Sequence, residues 1–145
     1  MEIKEDYSQV PHAAAIGIVT TALPDGRPAM RLPYAAHLVG DPDTGVIHGG
    51  VITALLDQTA GMLARPLEQS REEVAIATLD LRIDYMGPAT VGEDLWATGE
   101  CYKRTADVAF VRACAFHTSP EDPVATCVAT FMLGTRNEPR TEQTP

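Results

Sequence analysis

One stretch of the chain, residues 48–64, constrains the possible folds more than any other. From Val51 onward, apolar or small side chains fall on every face of a helix, which is the pattern of a helix surrounded by other structure. Asp57 is the only charged residue between Val51 and Ala64. Burying a carboxylate costs free energy unless it is paired, so we expect Asp57 either to make a structural hydrogen bond or to take part in the function.

The remaining sequence predicts an antiparallel sheet. A turn at residues 24–26 joins two predicted strands, residues 15–21 and 27–32. Residues 37–46 contain many glycines, prolines and aspartates, and we expect a loop there that leads into the helix. Further strands are predicted at residues 75–85, 94–102, 108–117 and 124–134, with a short turn at residues 103–106.

The first of these later strands shows the clearest alternation. Its predicted apolar face consists of Ala75, Ala77, Leu79, Leu81, Ile83 and Tyr85. A helix that is apolar all round needs cover, and the sheet has one face to bury. We therefore expect an α+β fold in which a curved antiparallel sheet of about six strands wraps one long central helix.

The length of 145 residues suits a single domain, which we place at residues 13–134. A polar leader, residues 1–12, is expected to be loosely attached or to form a short helix. A polar tail, residues 135–145, is expected to be disordered.

The charge and the cysteines limit the possible partners. A net charge of −9 argues against a nucleic-acid or anionic-membrane surface. The acidic first residues lack the apolar core of a signal peptide, and no run approaches a membrane span, so we expect a cytoplasmic protein. Three cysteines without metal-ligand spacing imply neither disulfides nor a metal site, and we expect buried thiols.

The helix start offers a place for chemistry. Gly49 and Gly50 expose backbone N–H groups that lack partners within the helix, and the macrodipole adds partial positive charge. That combination can hold an anion or a developing oxyanion, and glycine lets a ligand approach the backbone closely. The alternative is a tight loop-to-helix turn without a ligand. A histidine just before a helix more often caps the helix or fills a loop, although the ring of His48 could also hydrogen-bond a ligand.

Asp57 follows Gly49 by eight residues, which places it about 12 Å further along the helix axis. One substrate carbonyl cannot touch both. If both act on the same substrate, they must come from two copies of the helix related by a two-fold axis, so an enzyme would be an obligate dimer. The alternative is a structural carboxylate held by Thr53, with Gln58 and Thr59 nearby.

Two runs, residues 45–57 and residues 79–89, strongly resemble the hotdog-fold acyl-CoA thioesterases of the phenylacetic-acid-degradation type, within the 4-hydroxybenzoyl-CoA thioesterase-like superfamily. The likeness extends over residues 10–134. It implies a long helix wrapped by an antiparallel sheet, assembly into homodimers and commonly homotetramers, and hydrolysis of acyl-CoA thioesters. It implies no separate cofactor, because the CoA thioester is the substrate.

The resemblance also implies roles for individual positions. Asp57 matches the family's catalytic carboxylate, acting as general base or nucleophile. Gly49 matches the residue whose N–H polarises the thioester carbonyl from the other subunit, with Gly50 beside it. His48 matches a histidine near that carbonyl, and Thr78 matches a hydroxyl residue that positions the water or the carboxylate.

Substrate binding is where the sequence departs from the family pattern. The family often has Asn six residues before the histidine, where this chain has Pro42. Asp41 or Asp43 would substitute for it with a one-residue shift. For the CoA phosphates the candidate cations, each of which could instead be a solvated surface charge, are Lys103, Arg104, Arg82 and Arg136.

Two other functions fit the same scaffold. A hotdog hydratase or dehydratase would use a histidine and an acid as a proton-transfer pair. A non-catalytic acyl-CoA-binding module would have no use for a buried carboxylate beside its ligand. The order and spacing of His48, Gly49 and Asp57 match the thioesterase pattern better.

Overall fold

The computed structural model describes residues 6–67, 69 and 73–135. A 3₁₀ turn and a short helix open the chain, two strands and a small hairpin follow, and a long helix precedes four long strands. Within those ranges no helix has the length and apolar character needed to cross a lipid bilayer. The helices are α1 (Pro11–Ile16) and α2 (Gly49–Ala64), and the strands are β1 (Val19–Ala22), β2 (Pro28–Leu32), β3 (Val39–Asp41), β4 (Val46–Ile47), β5 (Ile76–Tyr85), β6 (Leu95–Arg104), β7 (Val108–Phe116) and β8 (Ala125–Leu133).

Six strands form one antiparallel sheet in the order β1-β2-β6-β7-β8-β5, and α2 packs against its inner face. The sheet contributes small and apolar inner side chains such as Ala97, Val111 and Ala129, all of them buried. From α2, Leu55 and Leu56 are completely buried. The α+β class and the central helix wrapped by about six antiparallel strands are therefore confirmed.

The helix ends where the sequence predicts. Arg65 leaves helical geometry and adopts an extended backbone immediately before Pro66. The proline disfavours helical geometry in the residue before it, which explains the end of the helix at Ala64.

The N-terminal segment differs from the prediction. Residues 15 and 16 belong to α1 rather than to the first strand, since Pro11 starts a helix that ends at Gly17 with a φ of 86°. The first strand begins only at Val19. Of the two alternatives for the leader, its described part shows a short helix, and Tyr7 is only 4% exposed. The predictions for residues 1–5 and for tail residues 136–145 lie outside the described residues.

Residues 37–46 also differ from the prediction of a plain loop. A short 3₁₀ turn leads into β3, which pairs with β4 across a turn at residues 42–45. Two strands this short show no detectable periodicity in the sequence. Further along, β6 continues through Arg104, so the predicted turn at residues 103–106 starts two residues too early.

A β-bulge changes the apolar face predicted for β5. Thr78 pairs with Phe131 and Asp80 pairs with Thr130, which leaves Leu79 as an extra residue. The bulge resets the alternation, so that Ile76 packs against the core while Leu79 is 54% exposed. Ala77 and Leu79 were therefore wrongly placed on the inner face.

Beyond the bulge the prediction holds. Leu81 and Ile83 pack against the core. The bulge thus brings two sets of side chains to the helix-facing side of β5, those at positions 76 and 78 before it and those at positions 81, 83 and 85 after it.

The two faces of the sheet give a matched stability prediction. Val111→Thr places a hydroxyl in the core, where Val111 is 0% exposed, and should lower the free energy of unfolding by about 1–3 kcal/mol. Val128→Thr makes the same change on the outer face, at a side chain 42% exposed, and should alter it by less than about 0.5 kcal/mol. Urea unfolding followed by circular dichroism measures both, and equal losses would contradict the assignment of faces.

Candidate active site

The β3–β4 hairpin holds His48 at the start of α2. The backbone N–H of His48 donates to the Leu38 carbonyl over 2.9 Å. Gly40 lies directly against the His48 backbone, since a Cβ at residue 40 would come within 2.8 Å of His48 Cα. The hydroxyl of Tyr34 donates to the Gly45 carbonyl over 2.7 Å and anchors the hairpin's turn. Contacts with the β3–β4 hairpin therefore fix the His48 backbone at the start of α2.

His48 is the N-cap of α2. Its Nδ1 accepts from the Gly50 N–H over 2.8 Å, which satisfies one of the unpaired donors of the first turn. A neutral imidazole that accepts at Nδ1 carries its proton on Nε2. Gly50 makes this contact possible, because a Cβ there would lie 2.9 Å from Nδ1. The exposed His48 ring thus presents an Nε2–H donor.

Gly49, unlike Gly50, has room for a Cβ. A Cβ at residue 49 would meet Tyr85 Cε1 at 3.6 Å, an ordinary van der Waals distance, so packing in this chain does not require glycine there. The Gly49 N–H is the first of the helix and finds no acceptor among the described residues. The Gly49 N–H is therefore an open donor at a position where no close contact within the described part of the chain explains the glycine.

Tyr85 is a residue of this region that the sequence reasoning missed. Its hydroxyl donates to the Gly49 carbonyl over 2.9 Å and also contacts the Thr53 hydroxyl. Thr53 in turn donates to the same carbonyl over 3.1 Å. The only signal in the sequence was a tyrosine at the end of an alternating strand. We call His48, Gly49, Gly50, Thr53 and Tyr85 the N-terminal cluster.

Asp57 lies two turns further along α2 and is half-buried. The Thr78 hydroxyl donates to Asp57 Oδ1 over 3.0 Å. The bulge at Leu79 makes this contact possible by turning Thr78 toward the helix. The alternative in which Thr53 holds Asp57 is wrong, because the Thr53 hydroxyl bonds to Gly49 instead. We call Asp57 and Thr78 the carboxylate pair.

The nearest thiol is not a competing nucleophile. Cys127 faces the core from β8, opposite Ile83. Burial raises the pKa of the Cys127 thiol to about 11, and the negative charge of Asp57 acts in the same direction. The thiol is therefore neutral at ordinary pH. The expectation of buried thiols holds for Cys127, whereas Cys101 and Cys114 are only half-buried.

The cluster and the pair lie on one helix but do not meet. Gly49 and Asp57 are separated by about 12 Å along the axis of α2. The structure brings Thr78 to Asp57 and brings His48 to Gly50, but it does not bring Asp57 to Gly49. A single chain therefore holds two separate halves of a possible site.

The predicted substrate-binding residues have other contacts in the chain. The Asp41 carboxylate closes the hairpin's turn by accepting from the Asp43 N–H over 2.9 Å. Arg104 donates to the carbonyls of Leu63 and Ala64, and so caps the C-terminal end of α2.

Among the other candidate cations, Lys103 is exposed on β6, and Arg82 forms an ion pair with Asp84 over 3.0 Å. Arg136 lies outside the described residues. Within the described ranges no group of three histidine, cysteine or acidic side chains could hold a metal ion.

Comparisons with known proteins decide the family. The family model described as the thioesterase superfamily matches residues 44–124, which include both halves of the site. The chain belongs to the thioesterase superfamily. One relative of this thioesterase is the medium/long-chain acyl-CoA thioesterase YigI of Escherichia coli, which is 31% identical over an aligned length of 108 residues. The match covers 67% of this chain and 68% of YigI.

Solved structures agree with that assignment. A protein from Pseudomonas aeruginosa is 38% identical, with a TM-score of 0.71 over 86% of this chain and 91% of that chain. A thioesterase family protein from Silicibacter pomeroyi is 26% identical, with a TM-score of 0.72 over 88% and 91%. The prediction of a hotdog-fold thioester hydrolase is confirmed.

The two adjacent glycines give a test of how the cluster is built. Both variants gain the helix preference of alanine, but Gly50→Ala should also displace the His48 ring, and loss of the cap should make it about 1 kcal/mol less stable to unfolding than Gly49→Ala. Gly49→Ala meets no close contact and should leave stability unchanged or slightly higher, because alanine favours a helix. Chemical denaturation of both variants measures the difference. A larger loss for Gly49→Ala than for Gly50→Ala would contradict the geometry.

Proposed function

We propose that this thioesterase hydrolyses an acyl-CoA thioester to a free acid and CoA, in a site shared by two copies of the chain. The observation that carries the proposal is the open N–H of Gly49 at a position where the fold does not need glycine, beside the outward Nε2–H of His48. The name of YigI, a medium/long-chain acyl-CoA thioesterase, supports the substrate class.

The N-terminal cluster would bind the thioester carbonyl. Its oxygen would accept from the Gly49 N–H and from His48 Nε2–H, and the positive end of the α2 dipole would favour the negative charge that develops there. Removing one such donor in enzymes typically costs about 10²–10³ in rate. Because both donors are already in place before substrate binds, little reorganisation would be needed during the reaction.

The carboxylate pair would supply the attack. As a general base, Asp57 takes a proton from water while the water oxygen attacks the carbonyl carbon, and CoA then leaves as a thiolate. As a nucleophile, Asp57 attacks the carbonyl carbon itself and the C–S bond breaks to release CoA as a thiolate, after which water hydrolyses the acyl-enzyme anhydride. In both versions Thr78 orients the carboxylate through its hydrogen bond to Oδ1.

Two features support a shared site. The separation of about 12 Å along α2 prevents Gly49 and Asp57 of one chain from reaching one carbonyl. Among the described strands, β5 lies at an edge of the sheet, where its outer backbone groups can pair with another chain. Three of the exposed large apolar residues lie on β5 or directly after it, namely Leu79 (54%), Tyr85 (52%) and Met86 (59%).

A two-fold axis beside β5 and α2 would place Gly49 of one copy near Asp57 of the other. The homotetramer that the resemblance implies remains a prediction. Lys103, exposed on β6, is our remaining candidate for the CoA phosphates, since Arg104 is engaged at the end of α2.

Thiol release from acyl-CoAs tests the function directly. Wild-type protein is assayed with aromatic and with short-, medium- and long-chain straight acyl-CoAs, and we expect release from at least one class. Asp57→Asn keeps an acceptor for Thr78 but removes the carboxylate, and should slow release by about 10²–10⁴.

Asp107→Asn, the same change at an exposed turn residue, is the matched control and should behave as wild type. No release by wild type from any acyl-CoA would refute the proposed function. Equal release by wild type and Asp57→Asn would refute the role of Asp57.

A further inference from the structure

We propose that Tyr85 is a positioning residue for the thioester site, which acts through the Gly49–Gly50 peptide to hold the His48 ring with its Nε2–H outward. The inference rests on the proposed function for its catalytic consequence. It rests on the geometry of the N-terminal cluster for the positioning itself.

The first observation is the unusual environment of the Tyr85 side chain. The residue is 52% exposed, yet its hydroxyl is not left to water, because it donates to the Gly49 carbonyl over 2.9 Å and contacts the Thr53 hydroxyl. The ring lies along Gly49, with Cε1, Cζ and OH at 3.6, 3.8 and 3.9 Å from the position of a Cβ on that residue. The Tyr85 ring therefore covers the side of Gly49 on which a Cβ would lie.

The second observation is that one peptide unit is held at both ends. The Gly49 carbonyl and the Gly50 N–H belong to the same peptide plane. The carbonyl accepts from Tyr85 and Thr53, and the N–H donates to His48 Nδ1 over 2.8 Å. Donation to a carbonyl polarises the amide and makes its N–H a stronger donor, so the bonds reinforce one another. The phenol of Tyr85 thereby strengthens the bond that orients His48.

The third observation is the need for an external restraint. Two consecutive glycines have more backbone freedom than any other pair of residues, and the first turn of a helix lacks half of its hydrogen bonds. Thr53 holds the Gly49 carbonyl from within α2, whereas Tyr85 holds it from β5. The sheet thus fixes the helix start independently of the helix itself.

The consequence is a defined tautomer for His48. With Nδ1 occupied as an acceptor, the proton stays on Nε2, where it can donate to the substrate. If the Gly49–Gly50 peptide tilts, Nδ1 loses its donor and the two neutral tautomers approach their ordinary balance. Loss of this one hydrogen bond should change the ratio of the two neutral His48 tautomers about three- to tenfold.

The test compares Tyr85→Phe with Tyr102→Phe. The second variant removes a hydroxyl from a tyrosine of similar exposure, 41%, whose ring packs against Arg112 on the outer sheet face. The ¹⁵N resonances of the His48 imidazole, assigned with His48→Gln, report the tautomer at about pH 8.5, where histidine is normally neutral. Release of CoA gives kcat and KM for the same proteins.

We expect wild type and Tyr102→Phe to hold His48 as the Nε2–H tautomer. Tyr85→Phe should raise the population of the Nδ1–H tautomer and lower kcat about three- to tenfold, with KM within about twofold. In a His48→Gln background, Tyr85→Phe should have no further effect on kcat, because Tyr85 acts through His48.

Unchanged His48 resonances in Tyr85→Phe would overturn the inference. A fall in kcat that persists in the His48→Gln background would also overturn it, since Tyr85 would then contact the substrate itself. Absence of any activity in wild type would refute the proposed function alone, because the imidazole resonances still decide whether Tyr85 positions His48.

Discussion

The first turn and the middle of a straight helix stay a fixed distance apart, and the sixteen-residue helix α2 has candidate functional groups at both places. The open donors at Gly49 and the carboxylate of Asp57 are held about 12 Å apart by the rise of the helix. Three parts of the surrounding structure hold α2 in place. The sheet buries Leu55 and Leu56, the β3–β4 hairpin holds His48, and Arg104 caps the far end.

Strand β5 is the element through which the fold adjusts both halves of the site. Before its bulge it supplies Thr78 to Asp57, and at its end it supplies Tyr85 to Gly49. Without the extra residue at position 79, Thr78 would face the outer side of the sheet while Tyr85 faced the helix. One bulge in an edge strand therefore lets both hydroxyls serve the same helix.

Much of this architecture could be predicted from the sequence. Apolar or small side chains on every face of residues 51–64 indicate the buried helix, and the alternation of the later strands indicates the sheet, because burial selects those patterns. The bulge could not be predicted from the sequence. Ala75, Ala77 and Leu79 continue the apolar alternation of residues 81–85, although the bulge between Thr78 and Asp80 shifts the register there.

The contacts of Tyr85 and Arg104 also could not be predicted from the sequence. Both side chains bond to backbone carbonyls of α2, and every residue carries a carbonyl, so no residue type marks the partner. The two-residue strand β4 offers no period to detect. The location of Asp57 was predictable from its place in the helix, whereas its partner Thr78 was indicated only by the family resemblance. By residue type alone, Thr53 and Thr78 are equally suitable donors until the register of β5 is known.

The most direct measurement of a site shared between two chains is the activity of a purified heterodimer. One subunit carries Asp57→Asn and the other carries Gly49→Val, with different tags so that the mixed species can be isolated and verified. Each homodimer should be nearly inactive. The heterodimer should recover about half of the wild-type activity, because one of its two sites retains both an intact Gly49 N–H and an intact Asp57 carboxylate. A verified heterodimer no more active than the two homodimers would contradict the shared site.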